Sequence, residues 1–385
     1  MLLPCTLPLV AYFYIMQQSF SFSKQIWKRL KKNKGAVFGL VIIVMAVFVA
    51  LFGYLIAPDN SPNADLQTVE IQAKKPGYAQ LFQKIRIKET KETGWFEKFL
   101  YGEPSPYKLI PVTGIPVFNT TKDSIVFYKY IDEDTSVRTA YEAGYLMSNN
   151  GVAKSLQDLC VTKKYWLGTD KFGRDILSRL IIGTRVSLAV GLIAVLISLT
   201  IGIILGAVAG YFKGWVDEVV MWLVNVTWSI PTLLLVFAIT MAMGKGFWQI
   251  FIAVGLTMWV SVARLVRGQV MAVKELEYIQ AAKALGFTHY RIIVKHILPN
   301  TFGPVLVIAA SNFATAIIVE AGLSFLGIGV QPPQPSWGLM IKENYNFIIT
   351  HNPMLALIPG FAIMLLVLAF NLLGNGLRDA VDVKN

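Results

Sequence analysis

The stretch Glu277-Tyr-Ile-Gln-Ala-Ala-Lys-Ala-Leu-Gly286, continued by Phe-Thr-His-Tyr-Arg-Ile-Ile-Val-Lys-His-Ile-Leu-Pro299-Asn300, decides how the rest of this chain is read. Leu276, Ile279, Ala282 and Leu285 recur at helical spacing. Gly286 stands where a helix closes on a left-handed residue. Thr288 can cap a second helix carrying Ile292, Ile293 and Ile297, with Pro299 as its stop. Ala281 and Ala282 leave one face nearly bare, so a partner surface can approach the backbone closely. A short, basic helix–bend–helix between apolar segments fits a plug for another protein's cleft. A surface hairpin without a partner is the alternative.

Outward from this stretch, the 385 residues are 55% hydrophobic and 15% charged. Several apolar runs reach the roughly 20 residues that cross a bilayer as helix. The formal charge is +12. Its basic residues lie beside apolar spans and in loops, a distribution that fits membrane orientation rather than nucleic acid. Cys5 and Cys160 are far apart, so no disulfide and no metal site is expected. His289, His296 and His351 do not cluster with cysteines or carboxylates at ligand spacing, and no cofactor is expected.

The first fifteen residues are apolar but broken by Pro4 and Pro8, and they lack a basic leader, so no signal peptide is expected. Met16 is an alternative start. Lys24 to Lys34 is basic and amphipathic and directly precedes the apolar run Ala36 to Ala57, which holds that end in the cytoplasm. The expected organisation is a cytoplasmic segment over 1–34, a first membrane helix over 35–57, an extracytoplasmic insertion over 58–165, and a membrane core over 166–385 with five more spans. Within the insertion, Ile110–Phe118 and Asp123–Tyr130 are β-rich and bounded by turn residues. Gln80 to Leu100 is charged and can be helical, which makes the insertion a small α+β module.

Beyond the insertion, Thr169 or Asp170 can cap a helix whose Ile176, Leu177, Leu180 and Ile181 share one face and lie along the outer membrane surface. Arg174 and Asp175 either position that helix or touch substrate. The second span, Val186 to Gly210, carries Gly202, Gly206 and Gly210 at every fourth position, and Gly183, Ser187 and Gly191 repeat the spacing upstream. Small residues so spaced let membrane helices pack backbone to backbone. The third span, Val219 to Met243, holds Asn225, Thr227, Ser229 and Pro231, which either kink it or line a path. The fourth, Trp248 to Ala263, returns to Arg264 and Arg267 and an inner loop over 264–302. The fifth runs from Gly303 to about Leu326 and buries a lone carboxylate, Glu320, which needs a partner or a wet path. Gly329 to Gly338 reads as a stiff outer loop, and the sixth span, Met354 to Leu373, ends in Gly374-Asn-Gly-Leu-Arg-Asp379 with the tail inside.

Gln280-Ala281-Ala282, then Gly286, then Ile297-Leu298-Pro299 resembles the coupling loop of binding-protein-dependent ABC importer permeases. That family's pattern is Glu-Ala-Ala, three residues, Gly, a longer spacer, then Ile and Leu-Pro. The chain departs at the first position, where Gln280 stands for Glu, and Glu277 one turn earlier is the other source of a carboxylate. Leu167-Gly-Thr-Asp…Gly-Arg-Asp175 is similar to the start of the second span in peptide-type permeases. Glu320-Ala-Gly-Leu-Ser-Phe-Leu-Gly327 with its Pro-rich loop resembles the C-type permease of dipeptide, oligopeptide and nickel importers. The resemblance covers residues 24–57 and 165–382 and leaves the insertion aside.

What the resemblance implies is an all-α membrane protein of six spans in the bacterial inner membrane, both termini cytoplasmic. Its implied partners are a second, related permease chain, two cytoplasmic ATP-binding subunits and an extracytoplasmic solute-binding protein. Glu277, Gln280, Ala281, Ala282, Gly286, Ile297, Leu298 and Pro299 would meet the ATPase. Asn225, Ser229 and Glu320 are the candidate translocation path, and Gln331, Pro332, Pro333 and Trp337 the candidate docking surface for the binding protein.

Two other classes compete with a permease for short peptides or, alternatively, for nickel or another small solute. An ion-coupled transporter often shows inverted repeats, and none is visible. A membrane hydrolase would need a nucleophile elbow or a His-Glu-x-x-His pair, and neither occurs, so no catalytic residue is assigned. No phosphate-binding Gly-x-x-x-x-Gly-Lys-Ser/Thr occurs either, which leaves ATP hydrolysis to another chain.

Overall fold

The structure is a computed structural model and describes residues 24–86, 94–115, 117–119, 124–142, 160–244, 246–349 and 352–382. The readings of residues 1–15, of Cys5 and of His351 lie outside those residues. The chain is mostly helical. In order it forms α1 (Lys34–Ile56), β1 (Tyr78–Arg86), α2 (Trp95–Tyr101), β2 (Tyr107–Pro111), β3 (Val117–Asn119), β4 (Ser124–Tyr130), β5 (Ser136–Glu142) and β6 (Cys160–Tyr165). There follow α3 (Ile176–Phe212), α4 (Gly214–Ser229), α5 (Thr232–Met243), α6 (Phe247–Lys274), α7 (Glu277–Ala284), α8 (His289–Ile292), α9 (Leu298–Leu326), α10 (Trp337–Asn344) and α11 (Met354–Val381).

Five helical runs among the described residues are long and apolar enough to cross a membrane: α1, α3, α6, His289–Leu326 and α11. The expected third span is not one helix. Its halves, α4 and α5, meet at 95°. Ile230 is extended and Pro231 follows it, so the ladder loses a donor just where the residue before proline avoids helical geometry.

Other expected boundaries also shift. The surface helix expected from Ile176 is not separate from the second span: α3 is continuous over 37 residues. That is roughly 55 Å against a hydrocarbon core of about 30 Å, so part of it extends past the apolar layer. Its cap is Asp175, whose Oδ2 accepts from the Ser178 N–H at 2.9 Å, rather than Thr169 or Asp170. The fourth span continues past Ala263 to Lys274, carrying Arg264 and Arg267 on the helix. Pro299 stops nothing, because α8 passes through a π-turn at Ile293–Ile297 straight into α9. The sixth helix likewise runs on beyond Leu373 to Val381.

The chain divides into two compact units, residues 1–46, 189–320 and 363–385 in the first, and 47–188 and 321–362 in the second. In the first, the glycine stripe of α3 lies against α6. A Cβ on Gly206 would stand 2.5 Å from the Ala263 carbonyl oxygen, and one on Gly210 would stand 2.7 Å from that of Arg267. The small-residue spacing therefore does what its pattern predicts, bringing two backbones together. The basic N-terminal stretch joins this unit through Leu30, packed with Ala36 and Ala380.

The second unit contains the insertion, built on two three-stranded antiparallel sheets ordered β2-β1-β6 and β3-β4-β5. The helix expected within Gln80–Leu100 is half wrong: residues 78–86 are the central strand of the first sheet, and among the described residues of the segment only those of α2 are helical. Leu81, Ile85, Ile110, Val112, Ile125 and Phe127 pack together and join the sheets into one small core.

Candidate functional site

The helix–bend–helix is assembled from local signals. Leu276 is extended and starts α7. At the other end, the Gly286 N–H donates to the Lys283 carbonyl at 2.9 Å and the Phe287 N–H to that of Ala282 at 3.1 Å. Gly286 has φ +77°, the left-handed value that its position in the sequence predicts. Thr288 then caps α8, its hydroxyl accepting from the Arg291 N–H.

One face of this element is core. Ile279, Ala282, Ile292 and Ile297 are buried with Val262, Val266 and Val270 of α6, with Ala207 and Tyr211 of α3, and with Val305. The other face is open: Glu277, Gln280, Ala281, Gly286 and Pro299 are exposed, together with Leu285 and Tyr290. The two alanines therefore separate. Ala281 is on the open face, whereas Ala282 sits inward, and Ile297 is wholly buried. Leu298 is half-buried at the start of α9.

The element is also tied to the end of α3. The Tyr211 hydroxyl is 2.8 Å from His289 Nδ1, and Lys274 Nζ donates to the Tyr211 carbonyl at 2.5 Å. Lys213 pairs with Glu275 at 2.9 Å, and that ammonium holds the Glu275 carboxyl below the usual range. Nothing in the pattern links Tyr211 to His289, seventy-eight positions away.

Among the other candidates, Asn225 on α4 accepts from Arg264 Nη2 at 3.1 Å, and the Arg264 guanidinium lies 3.6 Å over the Trp228 ring. Ser229 is exposed and its hydroxyl turns back to the Val226 carbonyl. Arg267 makes a two-pronged pair with Asp217, both contacts at 2.5 Å, so its charge is matched within the first unit. Glu320 is completely buried.

In the second unit, Pro332 and Pro333 are exposed and Gln331 is half-buried, its side chain donating to the Gly327 and Gly329 carbonyls. Trp337 points inward instead. It is 4% exposed, its indole donates to the Leu180 carbonyl at 3.0 Å, and Ser336 before it caps α10. Trp337 therefore braces the loop and presents no surface to a partner.

A buried charge cluster nearby escaped sequence reasoning. Arg174 pairs with Asp170 at 2.6 Å, Asp65 at 3.0 Å and Glu343 at 2.6 Å, and Arg179 approaches the same three carboxylates at 3.5–3.8 Å. Both arginines are buried to within 2%. Arg174 thus belongs to a five-member cluster drawn from three separate parts of the chain, whereas Asp175 lies outside it as the cap of α3.

Comparison with known proteins matches residues 202–384 to the family of binding-protein-dependent transport system inner membrane components, and residues 21–73 to the N-terminal membrane domain of oligopeptide transport permease C. Neither covers residues 74–201, which hold most of the insertion. A glutathione transport system permease protein of Pectobacterium atrosepticum is 44% identical over 220 residues, 57% of this chain and 73% of that protein. A dipeptide transport system permease protein of Alkalihalophilus pseudofirmus is 44% identical over 221 residues, 57% of this chain and 72% of its own. Another, from Bacillus subtilis, is 42% identical over 242 residues, 62% of this chain and 76% of its own.

Proposed function

The chain belongs to the family of binding-protein-dependent transport system inner membrane components, and from that premise we propose that it is the membrane-spanning permease subunit of an ATP-driven importer of short peptides. The observation that carries this reading is the helix–bend–helix, with an apolar face sunk into its own chain and a second face left open. Its C-terminal arm runs without a break into a membrane span. A push on the open face would therefore reach the bilayer through one rigid rod. Glutathione and dipeptide relatives favour a peptide over nickel.

In this reading α4 and α5 together count as one span and the total is six, with both termini and the 264–302 segment cytoplasmic and residues 58–165 outside. Hydrolysis belongs to two ATP-binding partners. Glu277, Gln280, Ala281, Gly286 and Pro299 offer them a surface, while Ala282 and Ile297 anchor that surface from behind. A second permease chain completes the path, and a solute-binding protein lands on the outer face near Gln331, Pro332 and Pro333. Asn225, Ser229 and Glu320 belong to the path.

The test is ATP-dependent uptake of a labelled dipeptide into vesicles holding this chain with its partner subunits. Uptake that persists without ATP, driven by an ion gradient, would favour a secondary transporter. In a chain carrying Cys5→Ser and Cys160→Ser, a cysteine at position 134 should react with an external reagent in sealed cells and one at 283 should not; labelling of 283 reverses the orientation. Glu320→Gln removes charge while keeping shape, and unchanged uptake would deny Glu320 an electrostatic role. Replacing residues 70–155 by a short Gly/Ser linker tests the insertion. Full stimulation of the ATPase by loaded binding protein would show that docking is carried elsewhere.

A further inference from the structure

Helix α2, Trp-Phe-Glu-Lys-Phe-Leu-Tyr, buries none of its side chains. Trp95, Phe96 and Tyr101 are 76%, 66% and 67% exposed. So much aromatic surface on one short helix marks a contact that the folded chain does not itself supply. At 3.6 residues per turn, Trp95, Phe96, Phe99 and Leu100 fall within an arc of about 140°. Glu97 and Lys98 take the other side, where Lys98 pairs with Glu103 at 2.6 Å.

The helix is held firmly in place. Arg185 Nη1 donates to the Leu100 carbonyl at 2.9 Å, and the Gly102 N–H closes the last turn on Lys98. Phe99 stacks with Trp95 at 5.9 Å and meets the edge of Phe52 at 6.0 Å; Phe52 in turn packs on Phe48 at 4.7 Å. Phe48, Leu51 and Leu55 belong to the exposed face of α1, a helix fit to cross the membrane. A ladder of rings therefore runs from the outward face of that span onto the apolar face of α2.

Depth agrees with this continuity. Phe52 precedes the end of α1 at Ile56 by four residues, about 6 Å along the axis. The 23-residue helix is roughly 35 Å long against about 30 Å of hydrocarbon, so its last turn reaches the head-group boundary. Tryptophan and tyrosine favour that layer, where an apolar ring body and a polar edge are both satisfied.

We propose that α2 is an interfacial anchor: it lies in the bilayer surface at the C-terminal end of α1, with Trp95 and Phe96 in the head-group boundary, and fastens the insertion to lipid. A soluble partner would have to stand clear of the lipid around α1, and this face is continuous with that lipid-facing surface. The proposal needs only that α1 spans a membrane, and it stands apart from what is transported.

The test places an environment-sensitive fluorophore at Phe96→Cys, and separately at Trp95→Cys, in the full chain carrying Cys5→Ser and Cys160→Ser. The protein is reconstituted with its co-purifying subunits in phosphatidylcholine–phosphatidylglycerol vesicles. Lipid spin-labelled near the head-group end of its acyl chain should remove most of the emission at both sites, and aqueous iodide should remove little. Asp134→Cys, on the exposed turn before β5, should show the reverse. Iodide quenching at 95 and 96 equal to that at 134 overturns the anchor. So does protection from both quenchers, which means a protein neighbour, or loss of lipid quenching when the solute-binding protein is added.

Discussion

The helix–bend–helix at 277–299 and the charge cluster around Arg174 are held by opposite means. The first has one apolar face, one left-handed glycine and one threonine cap, all specified by neighbours in the sequence. The second gathers Asp65, Asp170, Arg174, Arg179 and Glu343, with partners as far as 169 positions apart. The first tolerates error piecemeal, since each local signal contributes a little. The second does not, because ions taken out of water need every counter-charge in place. The proposed coupling element is thus built from additive parts, and the foot of the insertion from an all-or-none net.

The sharpest way to break this contrast is Arg174→Met. It leaves Asp65, Asp170 and Glu343 facing Arg179 alone and should cost about 3–5 kcal/mol, read as a lower melting temperature of the solubilised protein. Arg179→Met should cost less, because its contacts are the longer ones. Equal losses would mean that the cluster shares its stabilisation evenly. Next is Gly206→Val, which drives a side chain into the Ala263 carbonyl and should cost about 1–3 kcal/mol, seen as reduced recovery of folded chain from membranes.

Gly286→Val follows. No atom stands within 4 Å of its would-be Cβ, so the penalty is the backbone conformation alone, about 1–2 kcal/mol. The chain should still insert while uptake falls; normal uptake at normal expression would show that the bend is dispensable. The smallest effect belongs to Tyr211→Phe, which deletes the hydrogen bond to His289 and should cost about 1 kcal/mol. If uptake is nonetheless lost at unchanged stability, the link from α3 to α8 transmits motion rather than merely holding position.

Much was legible from residues in order. Apolar runs marked α1, α3, α6, α9 and α11, glycines every fourth position marked the α3–α6 seam, and Gly286 and Thr288 marked a bend that the backbone adopts. Helix ends were read less well. Pro299 and Gly374 look like stops, yet both lie in continuing helix, since a π-turn absorbs the first and nearby packing carries the second. Pro231 looked like a kink and proves to be a right-angle break.

By itself the sequence determined that this chain crosses membranes and carries a helix–bend–helix, because bilayer thickness and backbone geometry act on short runs of neighbours. Only the tertiary structure decided that Ala282 and Trp337 face inward, that Tyr211 meets His289, and that two arginines share Asp170 with the distant Asp65 and Glu343. Burial and ion pairing depend on what arrives from elsewhere in the chain, and no local pattern records the arrival.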